Sequence, residues 1–256
     1  MTSLNDALKV LLAYSLIMMI GLIVTWWWSR FDERTIRGVG VWIKPMKFMA
    51  ATALFAITTA CLMRMADVRP QALPSFYWIA VLIVSTSFFE VAYISLQGSL
   101  GEASHYNTSD LLHAVMSGLM GIVAVALTAS QAWLAWVIWT QNDKPALSVM
   151  QSGIVVGLIL TFVLSTLSGF LLGSHQAPPG KGWPIVGWHL RGDIRPAHFL
   201  GVHAQQFIPA FGLLAEYFAG GAALAVFSTL TMFYLLACIC LTLTAIRAIP
   251  VTAHFG

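Results

Sequence analysis

Residues 77–97 read YWIAVLIVSTSFFEVAYISLQ, an apolar run without glycine or proline that carries a single charge, Glu90. A helix needs about 20 mostly apolar residues to cross the ~30 Å hydrocarbon core of a bilayer, and this run has that length and composition. Outward from it the same reading recurs six times, at Leu8–Trp28, Phe48–Met63, Leu111–Trp139, Val149–Leu172, His198–Phe218 and Ala222–Ile249. The fold expected is an all-α, polytopic integral membrane helical bundle of about seven transmembrane helices, forming one domain over 1–256. The second run is short and borrows the turn from Val41 to Lys47. The fourth would be ~43 Å long if wholly helical, so it tilts or projects. The Gly220-Gly221 pair separates the last two runs. The first run lacks a small-residue cleavage site and is too long for a signal-peptide core, so it reads as a helix.

Composition agrees, because 59% of residues are hydrophobic and 9% are charged, against roughly 25% charged in a soluble domain. The partner expected for such a surface is the lipid bilayer, and a net charge of +3 does not suggest a nucleic acid. Trp26, Trp27, Trp28, Trp78, Trp136 and Trp139 lie at run ends, where an interfacial aromatic belt forms. Gly153-x-x-x-Gly157 and Ser117-x-x-x-Gly121 allow close helix approach within a bundle. Cys61, Cys238 and Cys240 fall in apolar runs and read as small fillers; two residues apart, Cys238 and Cys240 point to different helix faces.

Alternating the runs across the membrane places Lys9, Arg64, Arg69 and Lys144 on the face that holds the N-terminus. Arg30, Arg34, Arg37, Lys44, Lys47, Lys181, Arg191, Arg195 and Arg247 fall on the far face. The positive-inside rule then makes the far face cytoplasmic, with the N-terminus outside and the C-terminus in the cytoplasm. All seven histidines also map to the far face: His105, His113, His175, His189, His198, His203 and His254.

A charge inside a membrane helix usually faces a cavity or a partner. Glu90 sits ~10 Å from the far end of its run, and Lys47 opens the next helix at that level. A Lys47–Glu90 ion pair and a functional carboxylate are equally good readings. At the sixth run, His198 and Gln205 share one helical stripe, His203 lies 140° away and Gln206 stands between, a polar arc too wide to face lipid. Asp193, Arg195 and Pro196 read as helix-start chemistry. Asp110 or Ser109 caps the fourth helix, which places His113 one turn inside it, while His105, Tyr106 and Asn107 form a turn or a lid.

Three segments, Trp42-Ile-Lys-Pro-Met-Lys-Phe48, Ser104-His-Tyr-Asn107 and Gly192–Gln206, resemble a family of small bacterial integral membrane proteins. The resemblance implies a multi-helix fold in a bacterial inner membrane and carries no activity.

Several imidazoles and a carboxylate approaching one face are what a bundle-held metal or haem site needs. The leading expectation is therefore a membrane-embedded metal- or haem-binding protein, a redox enzyme acting on a small or lipophilic substrate. His113, His198 and His203 are the expected ligands, Glu90 and Lys47 the catalytic pair, and His105, Asn107 and Gln205 the cofactor-binding or orienting groups. Lys44, Lys47 and Arg195 would neutralise charge or hold an anion. Two other classes fit the same residues: a transporter or proton pathway, and a non-catalytic assembly or scaffold protein.

Overall fold

The structure, a computed structural model, describes residues 3–142, 146–175, 177–178, 182–183, 187–189 and 191–248. Lys144, Lys181 and His254 lie outside the described residues. Six stretches are long and apolar enough to cross a membrane: Leu4–Trp28, Ile43–Met65, Pro70–Leu100, Leu111–Thr140, Val149–Ser174 and Arg195–Arg247. The count of separate stretches is six and not seven, because the last is 53 residues long and includes the two runs that Gly220-Gly221 was expected to part.

The chain divides into two compact units, 1–146 and 147–256. In the first unit, α1 (Leu4–Trp28) starts in a capping box, with Ser3 Oγ accepting from the Asp6 backbone N–H and Asp6 accepting from Ser3 N–H at 2.8 Å. A two-stranded hairpin follows, β1 (Thr35–Ile36) and β2 (Val39–Gly40), turned by Arg37 at φ 53° and Gly38 at φ 77°. Positive φ at both central residues gives a turn that matches strand twist. Helix α2 (Ile43–Met65) does take in most of the Val41–Lys47 turn. Helix α3 (Leu73–Leu100) runs back beside it and ends on Gly101 in the left-handed conformation, φ 77°. Asp110 caps α4 (Leu111–Thr140), accepting from the His113 backbone N–H at 2.9 Å.

Helix α3 packs against α1, α2 and α4. Its first half meets fully buried apolar side chains: Phe76, Ile79 and Ile83 of α3, with Leu11 of α1 and Met63 of α2. Outward-facing Leu16, Ile17, Ile20 and Ile23 of α1 are exposed, as a lipid-facing stripe is.

In the second unit, α5 (Val149–Ser174) begins in a Ser148–Gln151 capping box, and Glu216 of α6 (Arg195–Ala219) accepts from the Met150 N–H at 2.8 Å. Small residues let α5 and α6 touch backbone to backbone. A Cβ on Gly201 would meet Leu164 C at 2.9 Å, and one on Gly212 would meet Val149 O at 2.8 Å. Gly153 and Gly157 lie in this contact, against Ile208 and Pro209, as the spacing suggested. Around Gly118 and Gly121 of α4, by contrast, a Cβ would find nothing within 4 Å. A short 3-10 turn, Gly220–Ala222, joins α6 to α7 (Ala223–Arg247). Tyr234 of α7 donates its hydroxyl hydrogen to Leu200 O and packs on Phe207, ring centroids 5.7 Å apart. A straight helix would hold Leu200 and Tyr234 ~51 Å apart, so the chain reverses at Gly220 and α7 runs antiparallel to α6.

Candidate functional site

Lys44 is the second residue of α2, and its head turns towards the loop that joins α3 to α4. Its Nζ lies 2.8 Å from Ser104 Oγ and 2.9 Å from His105 Nδ1, and Ser104 Oγ is 3.1 Å from the same nitrogen. An ammonium only donates, so His105 Nδ1 is the acceptor and the ring is the neutral tautomer with hydrogen on Nε2. Burial and the charge of Lys44 push the His105 pKa down to about 3, which agrees with that tautomer. Phe48 lies beneath, its ring 5.8 Å from Lys44 Nζ and 6.4 Å from the His105 ring. Ser104 is buried at 5% exposure, and the loop turns at Tyr106, φ 57°.

Glu90 is 4% exposed, and among the described residues its Oε1 has no hydrogen-bond partner. The lysine whose charge acts on it is Lys44. Lys47, one turn on, is exposed in α2. Beyond Glu90 the polar groups continue for about one more turn. Tyr14 of α1 donates to Thr52 Oγ1 of α2 at 3.0 Å, and Ser87 of α3, three residues from Glu90, stands beside the same phenol. The half beyond buries the apolar side chains of Leu11, Met63, Phe76, Ile79 and Ile83, together with the uncharged polar Thr59, Ser130 and Gln131. The first unit thus holds a polar track that starts at loop 101–110 and ends inside the helices. Gln97, two turns from Glu90 on the same face of α3, is also buried with an unpartnered Oε1.

Arg34 and Asp32 brace the rim. Arg34 donates through Nε and a terminal nitrogen to Asp32 at 2.9 and 2.7 Å, and through the other to Ser99 O at 3.0 Å, covering an α3 carbonyl that has no intrahelical donor. Trp42 Nε1 donates to Asp32 at 2.8 Å. The Arg34 guanidinium, helped by Trp42, holds the Asp32 carboxyl well below the usual range.

The expected ligands are engaged differently. His113 sets Nδ1 2.8 Å from Asp110 Oδ2 and Nε2 2.9 Å from Glu102 Oε2. His198 places Nδ1 3.0 Å from Ser168 Oγ and also meets the Ser165 backbone. His203 bonds Gln206 and stacks on Phe199 at 4.1 Å. Among the described residues no group of three His, Cys, Asp or Glu side chains is placed to hold a metal ion. His113 belongs to the first unit, and His198 and His203 to the second. Gln205 is fully buried on the stripe of His198 and Gly201 that faces α5. Asn107 closes a turn, accepting from Ser109 N–H at 3.1 Å.

Asp193 and Arg195 do form helix-start chemistry. Arg195 donates to Asp193 through backbone N–H, Nε and a terminal nitrogen at 3.0, 2.8 and 2.7 Å, and His189 N–H adds a fourth bond at 2.8 Å. Burial raises the Asp193 carboxyl, but these donors outweigh it and leave it below its ordinary value.

Sequence reasoning undervalued Ser104, Glu102 and Ser168. Glu102 and His113 are eleven residues apart, but the Gly101 helix stop and the Asp110 cap fix both ends of the loop between them. That pair of signals makes their meeting readable. Ser168 could be found only by knowing the α5–α6 register. Compared with known proteins, the chain matches no family model, no curated protein and no solved structure.

Proposed function

We propose that the protein is a proton-handling transport protein of a bacterial inner membrane, and that Glu90 is the group that takes up and releases the proton. One observation carries this: a carboxylate at 4% exposure, with an oxygen that no donor satisfies, inside a stretch long and apolar enough to span the bilayer. An ionised carboxylate there lacks water and has only the distant charge of Lys44 to offset it. Such a group exchanges a proton at lower cost than it keeps a bare charge. The polar groups Lys44, Ser104 and His105 lead towards it from one face, whereas the half beyond Tyr14 and Ser87 buries apolar side chains and only uncharged polar ones, Thr59, Ser130 and Gln131. Charged groups on one side of the site and none on the other give it the asymmetry that alternating access uses. Lys44 holds the counter-charge, and neutral His105 accepts its hydrogen bond without adding a second cation.

The reversal at Gly220 supports seven crossings, α6 and α7 each making one, with the N-terminus outside and the C-terminus cytoplasmic by charge bias. Reporter fusions at both ends test this, and finding them on one side refutes the count. Proton flux in proteoliposomes, followed with an enclosed pH-sensitive dye under an imposed potential, tests the function. Wild-type protein is expected to move protons above the rate of empty vesicles, alone or with an added solute, and Glu90→Gln to abolish the movement. Flux unchanged by Glu90→Gln refutes the assignment. A haem absorption band or stoichiometric metal lost on replacing His113, His198 or His203 would return the redox reading to first place.

A further inference from the structure

Loop 101–110 is fastened at two points. At the first, Ser104 and His105 close over Lys44. At the second, His113 is clamped between two carboxylates, Asp110 at 2.8 Å and Glu102 at 2.9 Å. An ionised carboxylate only accepts, so each ring nitrogen must carry hydrogen, and the ring that satisfies both partners is the imidazolium. Loss of either proton sets a nitrogen lone pair against a carboxylate oxygen. Asp110 cannot readily move away, because it also caps α4 through the His113 N–H at 2.9 Å. The contact that yields is Glu102, the only one of the two that ties the start of the loop to α4.

The surrounding groups leave this titration to His113. The Asp110 carboxyl lies below its ordinary value because the His113 backbone N–H and ring donate to it, so it remains charged. Ser109 Oγ, 3.5 Å from Nδ1, carries no charge. From α3, packed against α4, Tyr93 is the titratable group that feels Glu102 and Asp110, and a phenol ordinarily ionises near pH 10. From the hairpin, Arg34 lies 3.7 Å from where a Cβ on Gly101 would sit, and it stays cationic throughout. The loop also has a reason to relax once released, since Tyr106 holds a left-handed backbone, φ 57°, that a residue with a Cβ disfavours.

We infer that the His113–Glu102 contact is a pH-operated latch on loop 101–110, shut while the imidazolium bridges the two carboxylates and released on its deprotonation, uncovering Lys44 and the track to Glu90. The inference rests on the reading of Glu90 as the site that the loop covers. Acidity closes the loop and alkalinity opens it, so proton uptake from that face is favoured to follow an open state and to be sealed by acid.

Hydrogen exchange of the 101–110 amides in the full chain in nanodiscs tests it, between pH 5 and pH 9 and corrected for intrinsic exchange. An exposed ion pair shifts an equilibrium by no more than about fivefold. Wild-type protection is therefore expected to fall by roughly that factor as pH rises. His113→Arg, a permanent cation with donors for both carboxylates, is expected to keep the loop protected at every pH. His113→Asn and Glu102→Gln are expected to hold its protection at the lower, alkaline level of the wild type at every pH while the helical circular dichroism persists. A flat wild-type profile, or His113→Arg titrating like wild type, overturns the latch. Glu90→Gln should keep the profile; losing it would mean Glu90 is the group titrating, and the latch fails. Loss of proton flux with the profile intact leaves the latch standing, whereas an intact flux in Glu90→Gln with the profile intact removes only the proton-site reading.

Discussion

Lys44 and Glu90 are predicted to be coupled through space rather than by contact, and the size of the coupling follows from their levels. A Cβ on Gly98 would meet Val41 O at 3.0 Å and Pro45 Cγ at 3.2 Å, so the start of α2 is level with Gly98 of α3. Glu90 is eight residues deeper, about 12 Å along the helix. The Lys44 ammonium points towards Ser104 and His105, 2.8 and 2.9 Å away, and not down the helix. Charges ~12 Å apart at an effective dielectric of ~20 attract by about 1.4 kcal/mol. That lies below the 3–5 kcal/mol released by breaking a buried contact pair and above the ~1 kcal/mol ceiling of an exposed one. Lys44→Met also strips two acceptors of a charged donor, so it alone should cost roughly 3–5 kcal/mol. Glu90→Gln trades the attraction for relief from a buried charge and should change stability by about 1 kcal/mol or less. The double variant should then be about 1.4 kcal/mol more stable than the two single losses summed. Equilibrium unfolding in mixed micelles measures all four proteins. The Lys44→Met loss should shrink at acid pH, because a carboxylate left alone takes up a proton. The same cycle with Lys47, which is exposed, should give a smaller coupling. Additivity of Lys44→Met and Glu90→Gln within ~0.5 kcal/mol would refute the reasoning.

Gly201→Ala drives a methyl group into the backbone at Leu164 and Ser165, 2.9 Å away, and should cost about 1–3 kcal/mol in thermal unfolding; an unchanged midpoint would disprove the close α5–α6 approach. Asp193→Ala unpairs Arg195 at a side chain with no exposed surface and should cost roughly 3–5 kcal/mol, most of it recovered when Arg195 is removed as well. The stabilisation from Asp193 is present above the ordinary carboxyl value of ~3.9 and is lost as pH falls through its lower folded value. His105, with a pKa of about 3, should make the protein lose stability as pH falls from ~6.5 towards 3, by at most ~1.4 kcal/mol per unit, because the unfolded chain takes up the proton first. Replacing His105 by Gln should flatten that slope in unfolding midpoints taken from pH 4 to 7.5.

The apolar runs made the helices legible, because lipid imposes a length and a composition that no other environment asks of a chain. Helix starts were legible wherever a side chain caps them, as at Asp110, or proline opens them, as at Pro196. The number of separate stretches was not, since Gly220-Gly221 breaks α6 without inserting the polar loop that marks the other turns. Registers between helices were hidden too. Lys44 and Lys47 differ by less than one turn, and only the level at which α2 meets Gly98 decides which of them addresses Glu90. The histidines illustrate the same limit from the other side. Alternating the runs put His113, His198 and His203 at one face, and that much suggested a shared ligand set. Their ring nitrogens instead find partners in the nearest hydroxyls, amides and carboxylates, Ser168 for His198, Gln206 for His203 and Glu102 with Asp110 for His113. A histidine near a membrane face has many such local acceptors, so coincidence of level is a weak argument for convergence.

Stability does not explain why the first unit keeps its polar interior. Replacing a buried ion pair by well-packed apolar residues is commonly neutral or stabilising by 1–4 kcal/mol, and Lys44 and Glu90, lacking contact geometry, regain less than a close pair does. Elsewhere the same helices bury apolar side chains in place of charges: Phe76, Ile79 and Ile83 on α3, Leu11 on α1 and Met63 on α2 have no exposed surface. Two turns further along α3 the pattern changes to Ser87, Glu90 and Gln97, and the facing positions change with it, to Tyr14, Thr52 and Lys44. The charged groups lie in the half next to loop 101–110, whereas the buried polar groups of the other half, Thr59, Ser130 and Gln131, are uncharged. Hydroxyls and amides in both halves can fix helix register without any charge. A carboxylate and an ammonium confined to one half, beside a loop with its own titratable fastening, is the distribution that a gated proton site requires.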